Sequence, residues 1–347
     1  MNILWEIDLP PASSRFIHHV DTKGLNVYFS HVWCERKDWS FFSVSLNDGT
    51  IRFGDKWRAL PSAISSINAA KNEIYVSGSS AWMRSANVFG VFDASSLKLK
   101  KKFDRKIPTS HYIEYDDSDN VLLAHDYSNQ ITLLNTLDGT VRHRRFIKSV
   151  GGILKFDEHS FYIPDPFDGK IYKFDSTTLK ASEIFSGEPF SDFQIDGDKF
   201  YSLGVYYSYD YEFFSTIWNS WFPRQTAGKR IRKKNGHIFM PFRSREFRIT
   251  DLTSGNVKTY NVNYVLRSLF YKFLPSGCCY KFKVYKNKCL FSFYNLIHIV
   301  ELSNFKKIET LKIEKGYEVA SVLPELGKIL ILNPELRRLK AVEFHLS

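Results

Sequence analysis

The sequence predicts an all-β protein made of one repeated unit of four short strands, and three observations indicate this. Polar turns that lead into apolar strands recur along the whole chain at near-regular intervals. Each turn and strand is followed by a second hairpin whose turn often contains Asp-Gly or Ser-Gly, because glycine adopts a positive φ at little cost. Apart from residues 264–273, no long segment has the periodicity of a helix.

The spacing of the first hairpins gives the architecture. Their apolar strands begin at eight positions, namely Val27, Ile74, Val121, Phe161, Phe200, Ile238, Leu290 and Ile329. Successive starts lie 47, 47, 40, 39, 38, 52 and 39 residues apart. Four strands in each such interval are typical of a β-propeller, whereas two β-sandwiches, the alternative, require no fixed period. We therefore predict a single β-propeller of eight, or alternatively seven, four-stranded blades.

The second hairpins place a tight turn in most of these repeats. The turns lie at residues 47–50, 93–96, 137–140, 176–178, 253–256 and 303–304. Each connects two short alternating strands, so a repeat holds four strands.

The blade boundaries and the two ends of the chain follow from this register. We predict one domain over residues 1–347, with blades near 11–57, 58–105, 106–148, 149–186, 187–224, 225–263, 264–313 and 314–347 plus 1–10. The stretch 339–346 has the pattern of the third strand of the last blade. The strand at residues 3–9 can supply its fourth strand and so close the ring, which removes an exposed sheet edge.

These repeats resemble those of the PQQ-like, YVTN and WD-repeat propellers, whose blades end in hairpins of the same Asp-Gly-Thr or Ser-Gly-Asn kind. The resemblance covers nearly the whole chain but rests on unspecific motifs. The Gly-His and Trp-Asp signature of WD repeats is absent, and the seven tryptophans are too unevenly spread for the docking motif of quinoprotein dehydrogenases.

Composition and the chain ends bear on the compartment. The N-terminal segment has no basic region and is interrupted early by acidic residues, so it does not have the pattern of a secretory signal. No apolar run is long enough to span a membrane. The four cysteines do not frame small loops, which favours reduced thiols. We therefore expect a cytoplasmic protein without a membrane partner.

The segment 206–222 is the most unusual part of the repeat pattern, because more than half of its residues are aromatic. Tyrosine and tryptophan provide large contact areas at a low entropic cost, so an aromatic binding surface is one interpretation. Packing between neighbouring blades is the other. The candidate binding residues here are Tyr207, Tyr209, Tyr211, Trp218 and Trp221.

A compact basic run follows at residues 229–234, and with the aromatic residues it would suit a phosphate backbone. Its candidate binding residues are Lys229, Arg230 and Arg232. The basic runs at 98–102 and 142–148 fall in predicted outer strands, where solvated charge is expected. His111, on a predicted inner strand near the channel, is a further candidate.

These observations favour a non-catalytic scaffold that binds another protein or a peptide through one face and the channel mouth. No nucleophile, base or metal-ligand pattern predicts a catalytic site, so we assign no catalytic residue, cofactor or metal. A propeller enzyme, lactonase-like or quinone-dependent, is the alternative, and the adjacent pair Cys278 and Cys279 is the feature that suggests a quinone. Nucleic-acid binding through the net charge of +11 is a further alternative.

Overall fold

The structure is a computed structural model of the 347-residue chain. It describes residues 2–11, 13, 17, 19–30, 39–55, 62–80, 87–104, 112–115, 119–125, 130–146, 154–157, 159–165, 168–188, 190–205, 233–234, 237–238, 244–262, 281–293 and 295–346.

The chain divides into two compact units. The first comprises Met1–Asp165, Ile171–Glu183 and Lys312–Ser347, and the second comprises Pro166–Lys170 and Ile184–Leu311. That residues 1–347 form one domain stays a prediction.

The first unit contains antiparallel four-stranded sheets, here called blades and numbered along the chain. Blade 1 is β2 (His19–Asp21), β3 (Asn26–Ser30), β4 (Trp39–Ser45) and β5 (Ile51–Asp55). Blade 2 is β6 (Ser62–Ala70), β7 (Glu73–Ser80), β8 (Asn87–Asp93) and β9 (Leu99–Asp104). Blade 3 is β10 (Tyr112–Tyr115), β11 (Asn120–His125), β12 (Gln130–Asn135) and β13 (Val141–Phe146). Blade 4, most of which lies in this unit, is β14 (Leu154–Asp157), β15 (Ser160–Asp165), β16 (Lys170–Asp175) and β17 (Ala181–Ser186).

The last blade of the first unit joins the two ends of the chain. Blade 7 is β28 (Glu318–Leu323), β29 (Lys328–Asn333), β30 (Arg338–Glu343) and the N-terminal strand β1 (Ile3–Asp8). The predicted pairing of the N-terminal strand with the C-terminal blade is present, because β1 pairs antiparallel with β30. A 3₁₀ turn, Pro324–Leu326, connects β28 and β29. Within the described residues there is no helix of the length and hydrophobicity needed to cross a membrane.

The second unit contains two further blades. Blade 5 is β18 (Phe190–Asp196), β19 (Lys199–Val205), β22 (Ser244–Asp251) and β23 (Val257–Asn261). Blade 6 is β24 (Lys281–Tyr285), β25 (Lys288–Phe293), β26 (Leu296–Glu301) and β27 (Lys306–Lys312). A separate two-stranded sheet of β20 (Lys233–Lys234) and β21 (His237–Ile238) lies in the sequence between β19 and β22.

The described residues thus form seven four-stranded blades, which confirms the seven-blade alternative. The segments predicted as separate blades, 187–224 and 225–263, together supply one sheet, because β19 pairs directly with β22. The repeat that was expected to begin at Ile238 lies instead in the two-residue strand β21. A polar turn before an apolar run is a local pattern, and it does not determine which strands pair.

The apolar core lies between consecutive blades rather than inside any one of them. Buried clusters join blade 7 to blade 1, blade 1 to blade 2, blade 2 to blade 3, blade 3 to blade 4, and blade 5 to blade 6. Because the central strands are covered on both faces, they consist of continuous apolar runs such as Val27-Tyr28-Phe29, all fully buried. The first strands of adjacent blades contact one another, which identifies them as the inner strands.

The turn between the third and fourth strands has the same backbone hydrogen bonds in blades 1 to 5, because the N–H of its fifth residue donates to the C=O of its first residue. In four of these turns the first residue is Asp or Asn, and its side-chain Oδ1 accepts hydrogen bonds from the backbone N–H groups two and three residues later. These residues are Asp93, Asn135, Asp175 and Asp251. Such Asx turns replace two missing backbone partners, so the composition of the turn determines its shape.

The fifth position of each turn has a positive φ, and its side chain is matched to the neighbouring blade. It is glycine in blades 1, 3 and 5, and Leu97, Leu179 and Phe305 in blades 2, 4 and 6. The leucines and Phe305 are buried, and they fill the space between blades themselves. At Gly49 and Gly139 the preceding blade supplies the bulk instead, with Trp5 and Phe103 respectively packed against the glycine.

Hydrogen bonds also cross between blades. On the outer strands, Arg52 Nη1 donates to Ser95 O at 2.6 Å, Lys101 Nζ to Thr136 O at 3.2 Å, and Arg145 Nη1 to Leu179 O at 2.8 Å. Each bond runs from the fourth strand of one blade to the turn of the next. The basic outer strands were expected to carry solvated charge, yet these three cations also hold neighbouring blades together.

On the inner strands, amide side chains form the hydrogen bonds between neighbouring blades. Asn68 Nδ2 donates to Ile113 O at 2.7 Å, from blade 2 to blade 3. Gln194 of blade 5 both donates to Val284 O at 3.0 Å and accepts from Val284 N at 2.7 Å in blade 6. A side chain therefore takes the place of a missing neighbouring strand.

We predict that residues 206–243 can be replaced by a short Gly-rich turn without loss of the fold. The flanking residues Val205 and Ser244 are already partners across the β19–β22 ladder, so the sheet does not need the long connection. A loop roughly tenfold shorter lowers the entropic cost of closure by on the order of 2 kcal/mol. Urea unfolding should therefore show an unchanged or higher free energy of unfolding. A variant that loses its cooperative transition would show that the segment belongs to the core.

We further predict that Gly139→Ala is more destabilising than Gly255→Ala. Both glycines have a positive φ, +75° and +72°, so alanine causes similar backbone strain at each, about 1 kcal/mol. A Cβ at Gly139 would also collide with the Phe103 ring, whereas a Cβ at Gly255 would have no described atom within 4 Å. Gly139→Ala should cost about 1–3 kcal/mol more in urea unfolding. Equal losses would mean that Phe103 moves freely and does not determine the contact.

Candidate functional site: a polar cavity between three blades

The nine binding residues predicted from the sequence cannot be placed. They lie outside the described residues and are Tyr207, Tyr209, Tyr211, Trp218, Trp221, Lys229, Arg230, Arg232 and His111. Their role stays a prediction.

A polar cavity in the first unit is the best-defined candidate site among the described residues. Its volume is about 490 Å³, which is within the range of ligand sites. Blades 1, 2 and 3 all contribute to it, mostly through the turns after their first strands and the ends of those strands. Its lining includes the charged residues Asp21, Lys23, Arg52, Lys71 and Glu73 and the buried Tyr28.

The first wall is the turn between β2 and β3. Asp21 Oδ1 accepts hydrogen bonds from the backbone N–H groups of Lys23 at 3.1 Å and Gly24 at 2.8 Å. Asn26 Nδ2 donates to Gly24 O at 2.6 Å from the start of β3. The turn is therefore held from both ends, and the Lys23 side chain is exposed beside the cavity.

The second wall combines an outer strand of blade 1 with the turns of blade 2. Arg52 is oriented by its bonds to Ser95 O at 2.6 Å and Ala94 O at 3.4 Å. Opposite turn residues Lys71 and Asn72 both adopt positive φ, 49° and 61°, and both are exposed. This wall is built from backbone and from an arginine with fixed direction, so it is ordered before any ligand arrives.

Glu73 completes that wall and is itself fully engaged. Its Oε2 accepts a hydrogen bond from the Tyr75 hydroxyl at 3.1 Å, and its Oε1 accepts one from Lys100 Nζ. Tyr75 is also in ring contact with Tyr115 of blade 3, at 6.5 Å between ring centroids. Blade 3 therefore reaches the cavity through the end of β10.

Tyr28 lines the cavity from blade 1, and its hydroxyl is the unusual group of the site. The side chain is fully buried, yet the hydroxyl oxygen makes no hydrogen bond to any part of the chain that the structure describes. A buried hydroxyl without a partner costs about 1–3 kcal/mol. A polar group kept at that cost beside a cavity is a candidate contact for a ligand.

Burial and the carboxylate of Asp21 shift the Tyr28 hydroxyl further toward its protonated form. Burial raises the pKa of Tyr28 well above its ordinary value, the carboxylate of Asp21 raises it further, and Arg52 opposes the shift. His19 stacks on the Tyr28 ring at 6.2 Å between centroids, and burial lowers the pKa of His19. At neutral pH the hydroxyl is therefore a hydrogen-bond donor as well as an acceptor.

A second cavity, of about 390 Å³, is lined within blade 4 alone. Its carboxylate, Asp175, already accepts two backbone N–H groups in its own turn. Among the described residues no group of three or more His, Cys, Asp or Glu side chains is arranged to hold a metal ion. Ser160, which lines this second cavity, also has a buried hydroxyl without a partner among the described residues. The cavity of blades 1 to 3 is the candidate followed here because three blades line it.

The sequence located the turns of this cavity but not the cavity. Asp21-Thr22-Lys23-Gly24 and Lys71-Asn72 were identified only as turns before apolar strands. Two sequence features accompany the cavity: the turns before Val27 and Ile74 each carry a lysine, and the strand after each turn carries a tyrosine, Tyr28 or Tyr75.

Comparisons with solved structures agree with this architecture. The chain is similar over 99% of its length to 92% of a chain in the mitotic checkpoint complex, with 8% identity and a TM-score of 0.63. It is similar over 99% of its length to 97% of the Pan2 WD40 domain of Neurospora crassa, with 10% identity and a TM-score of 0.59. It is similar over 94% of its length to 83% of BamB from Moraxella catarrhalis, with 10% identity and a TM-score of 0.51.

No protein-family profile matches the chain, and no curated protein matches its sequence. At such low identity the structural likenesses show the fold alone. They define the class of protein: an all-β propeller, whose described residues form seven four-stranded blades. The resemblance drawn from the repeats is thereby confirmed.

We predict opposite effects for two similar substitutions beside the cavity. Tyr28→Phe removes a hydroxyl without a partner and should raise the free energy of unfolding by about 1 kcal/mol. Tyr75→Phe removes the hydroxyl that donates to Glu73 and should lower it by about 1 kcal/mol. Urea unfolding of both variants beside the wild type measures the difference. If Tyr28→Phe is as destabilising as Tyr75→Phe, the Tyr28 hydroxyl is already satisfied in the free protein.

Proposed function

We propose that this propeller is a protein- or peptide-binding scaffold, and that its partner inserts a side chain into the polar cavity of blades 1 to 3. The observation that carries the proposal is a cavity of about 490 Å³ whose lining includes Tyr28, a residue with a buried hydroxyl that has no partner among the described residues. Binding sites often combine a concave surface with a few fixed polar groups. Here Asp21, Arg52 and Glu73 are fixed by hydrogen bonds within and between blades.

The preordered walls support a binding role in energetic terms. A surface that is already ordered loses little conformational entropy on association, so more of the contact energy remains as affinity. Arg52 and the turn of Asp21 are both held by bonds of 2.6–3.1 Å. One structural neighbour comes from a multiprotein assembly, the mitotic checkpoint complex, which is consistent with protein partners for this fold.

The aromatic and basic segment remains a second proposed surface. Its ends, Val205 and Ser244, meet at one end of blade 5, in the second unit. Tyr209, Tyr211 and Trp218 are the residues through which we expect it to contribute. A cytoplasmic location is likewise proposed, and the buried free thiol of Cys289 is consistent with it.

Peptide selection from a random display library on the immobilised full chain tests the cavity. Ser95→Trp places an indole at the cavity wall, and Thr253→Trp places one at the same turn position in blade 5, away from the cavity. Selected peptides should bind Ser95→Trp at least about tenfold more weakly than the wild type, because the indole excludes them. They should bind Thr253→Trp normally.

Two results would contradict this proposal. If the selected peptides bind Ser95→Trp and Thr253→Trp equally well, the cavity is not their site. If the peptides instead fail to bind the triple variant Tyr209→Ala, Tyr211→Ala and Trp218→Ala, binding occurs through the aromatic segment and the cavity assignment is wrong.

A further inference from the structure

The charged residues around the cavity do not balance within the protein. Three cationic side chains line it, Lys23, Arg52 and Lys71, against two carboxylates, Asp21 and Glu73. Glu73 is already paired with Lys100, so of the two carboxylates only Asp21 is left to balance these three cations. A ligand that complements this cavity is therefore an anion.

The two carboxylates have little capacity left for a ligand. Asp21 accepts two backbone N–H groups within its turn, and each oxygen of Glu73 accepts a hydrogen bond from a side chain. A cationic ligand would have to displace or share these bonds. The acceptors of the cavity are thus largely committed to the fold.

The donors, in contrast, have capacity to spare. The ammonium groups of Lys23 and Lys71 make no hydrogen bond or ion pair within the part of the chain that the structure describes. Arg52 donates to two carbonyl oxygens, and its guanidinium carries five N–H groups in all. The Tyr28 hydroxyl adds a neutral donor that burial keeps protonated.

We propose that the cavity recognises a carboxylate of a bound peptide, supplied by an Asp or Glu side chain or by the peptide C-terminus. A carboxylate accepts from several donors at once, and the lining offers it lysine, arginine and hydroxyl donors. A phosphorylated side chain is the other anion that a peptide can supply, and the experiment distinguishes the two. The inference rests on the proposed function and specifies the chemistry of the partner at the same site.

The test uses the peptides selected on the full wild-type chain, together with three synthetic versions of the tightest binder. In one, each Asp or Glu is changed to its amide; in another, the C-terminus is amidated; in the third, the acidic residue is replaced by phosphoserine. We expect one of the first two changes to weaken binding at least about tenfold, because it removes the charge while keeping the shape. Which of them does so identifies the source of the carboxylate. Phosphoserine should bind no more tightly than the carboxylate.

The matching change in the protein is Lys23→Gln together with Lys71→Gln. Both side chains are exposed, so the fold should be unaffected. The control is Lys258→Gln with Lys306→Gln, two exposed strand residues in the second unit, which alters the net charge equally. The Lys23→Gln and Lys71→Gln variant should bind the acidic peptide at least about tenfold more weakly than the wild type does, and it should bind the amide version with unchanged affinity. The control pair should change neither.

The outcomes separate this inference from the proposed function. Peptides that are excluded by Ser95→Trp but contain no required carboxylate would overturn the inference and leave the scaffold function standing. Tighter binding of the phosphoserine peptide would also overturn it, in favour of a phosphopeptide site. Peptides that bind regardless of Ser95→Trp would overturn the cavity as a site altogether.

Discussion

A four-stranded antiparallel sheet satisfies the backbone of its two central strands but leaves its first and fourth strands with unpaired N–H and C=O groups. In this chain, side chains of the adjacent blade bond to those exposed backbone groups. Gln194 bonds to both backbone groups of Val284 between inner strands, and Asn68 bonds to Ile113 O. At the outer strands, arginine and lysine bond to the carbonyl oxygens of the next turn. A single blade cannot bury its apolar faces alone, so these contacts and the apolar clusters between blades are the condition for the fold.

The same constraint explains the choice of residue at the positive-φ position of each turn. The backbone needs a left-handed residue there, and glycine supplies it most cheaply. Leu97, Leu179 and Phe305 nevertheless take that position where the neighbouring blade leaves a space to fill. Where the preceding blade presents Trp5 or Phe103, only glycine fits. Some repeats thus have backbone strain at this position and gain packing between blades, whereas others have an unstrained glycine and are packed by the neighbouring blade.

The cavity depends on this arrangement as well. Arg52 joins blade 1 to blade 2 and at the same time forms a wall of the cavity, so the contact that stabilises the fold also orients a donor. Tyr28 both stabilises and destabilises the fold. Its ring contributes to the buried cluster between blades 1 and 2, while its hydroxyl has no partner in the described chain. A buried polar atom without a partner lowers stability, and such a cost beside a cavity is compatible with a binding role.

The sequence by itself determined the strands, most of the hairpin turns and the pairing of the N-terminal strand with the last blade, because these follow from local alternation and turn chemistry. Only the tertiary structure decided that residues 187–224 and 225–263 form one blade, since Val205 and Ser244 pair across a long insertion that no local pattern reveals. It alone also assembled the cavity. Asp21, Arg52 and Glu73 lie in different strands and turns of two repeats. They come together because blades 1 and 2 pack against each other, and this packing is a property of the assembled blades rather than of any single repeat.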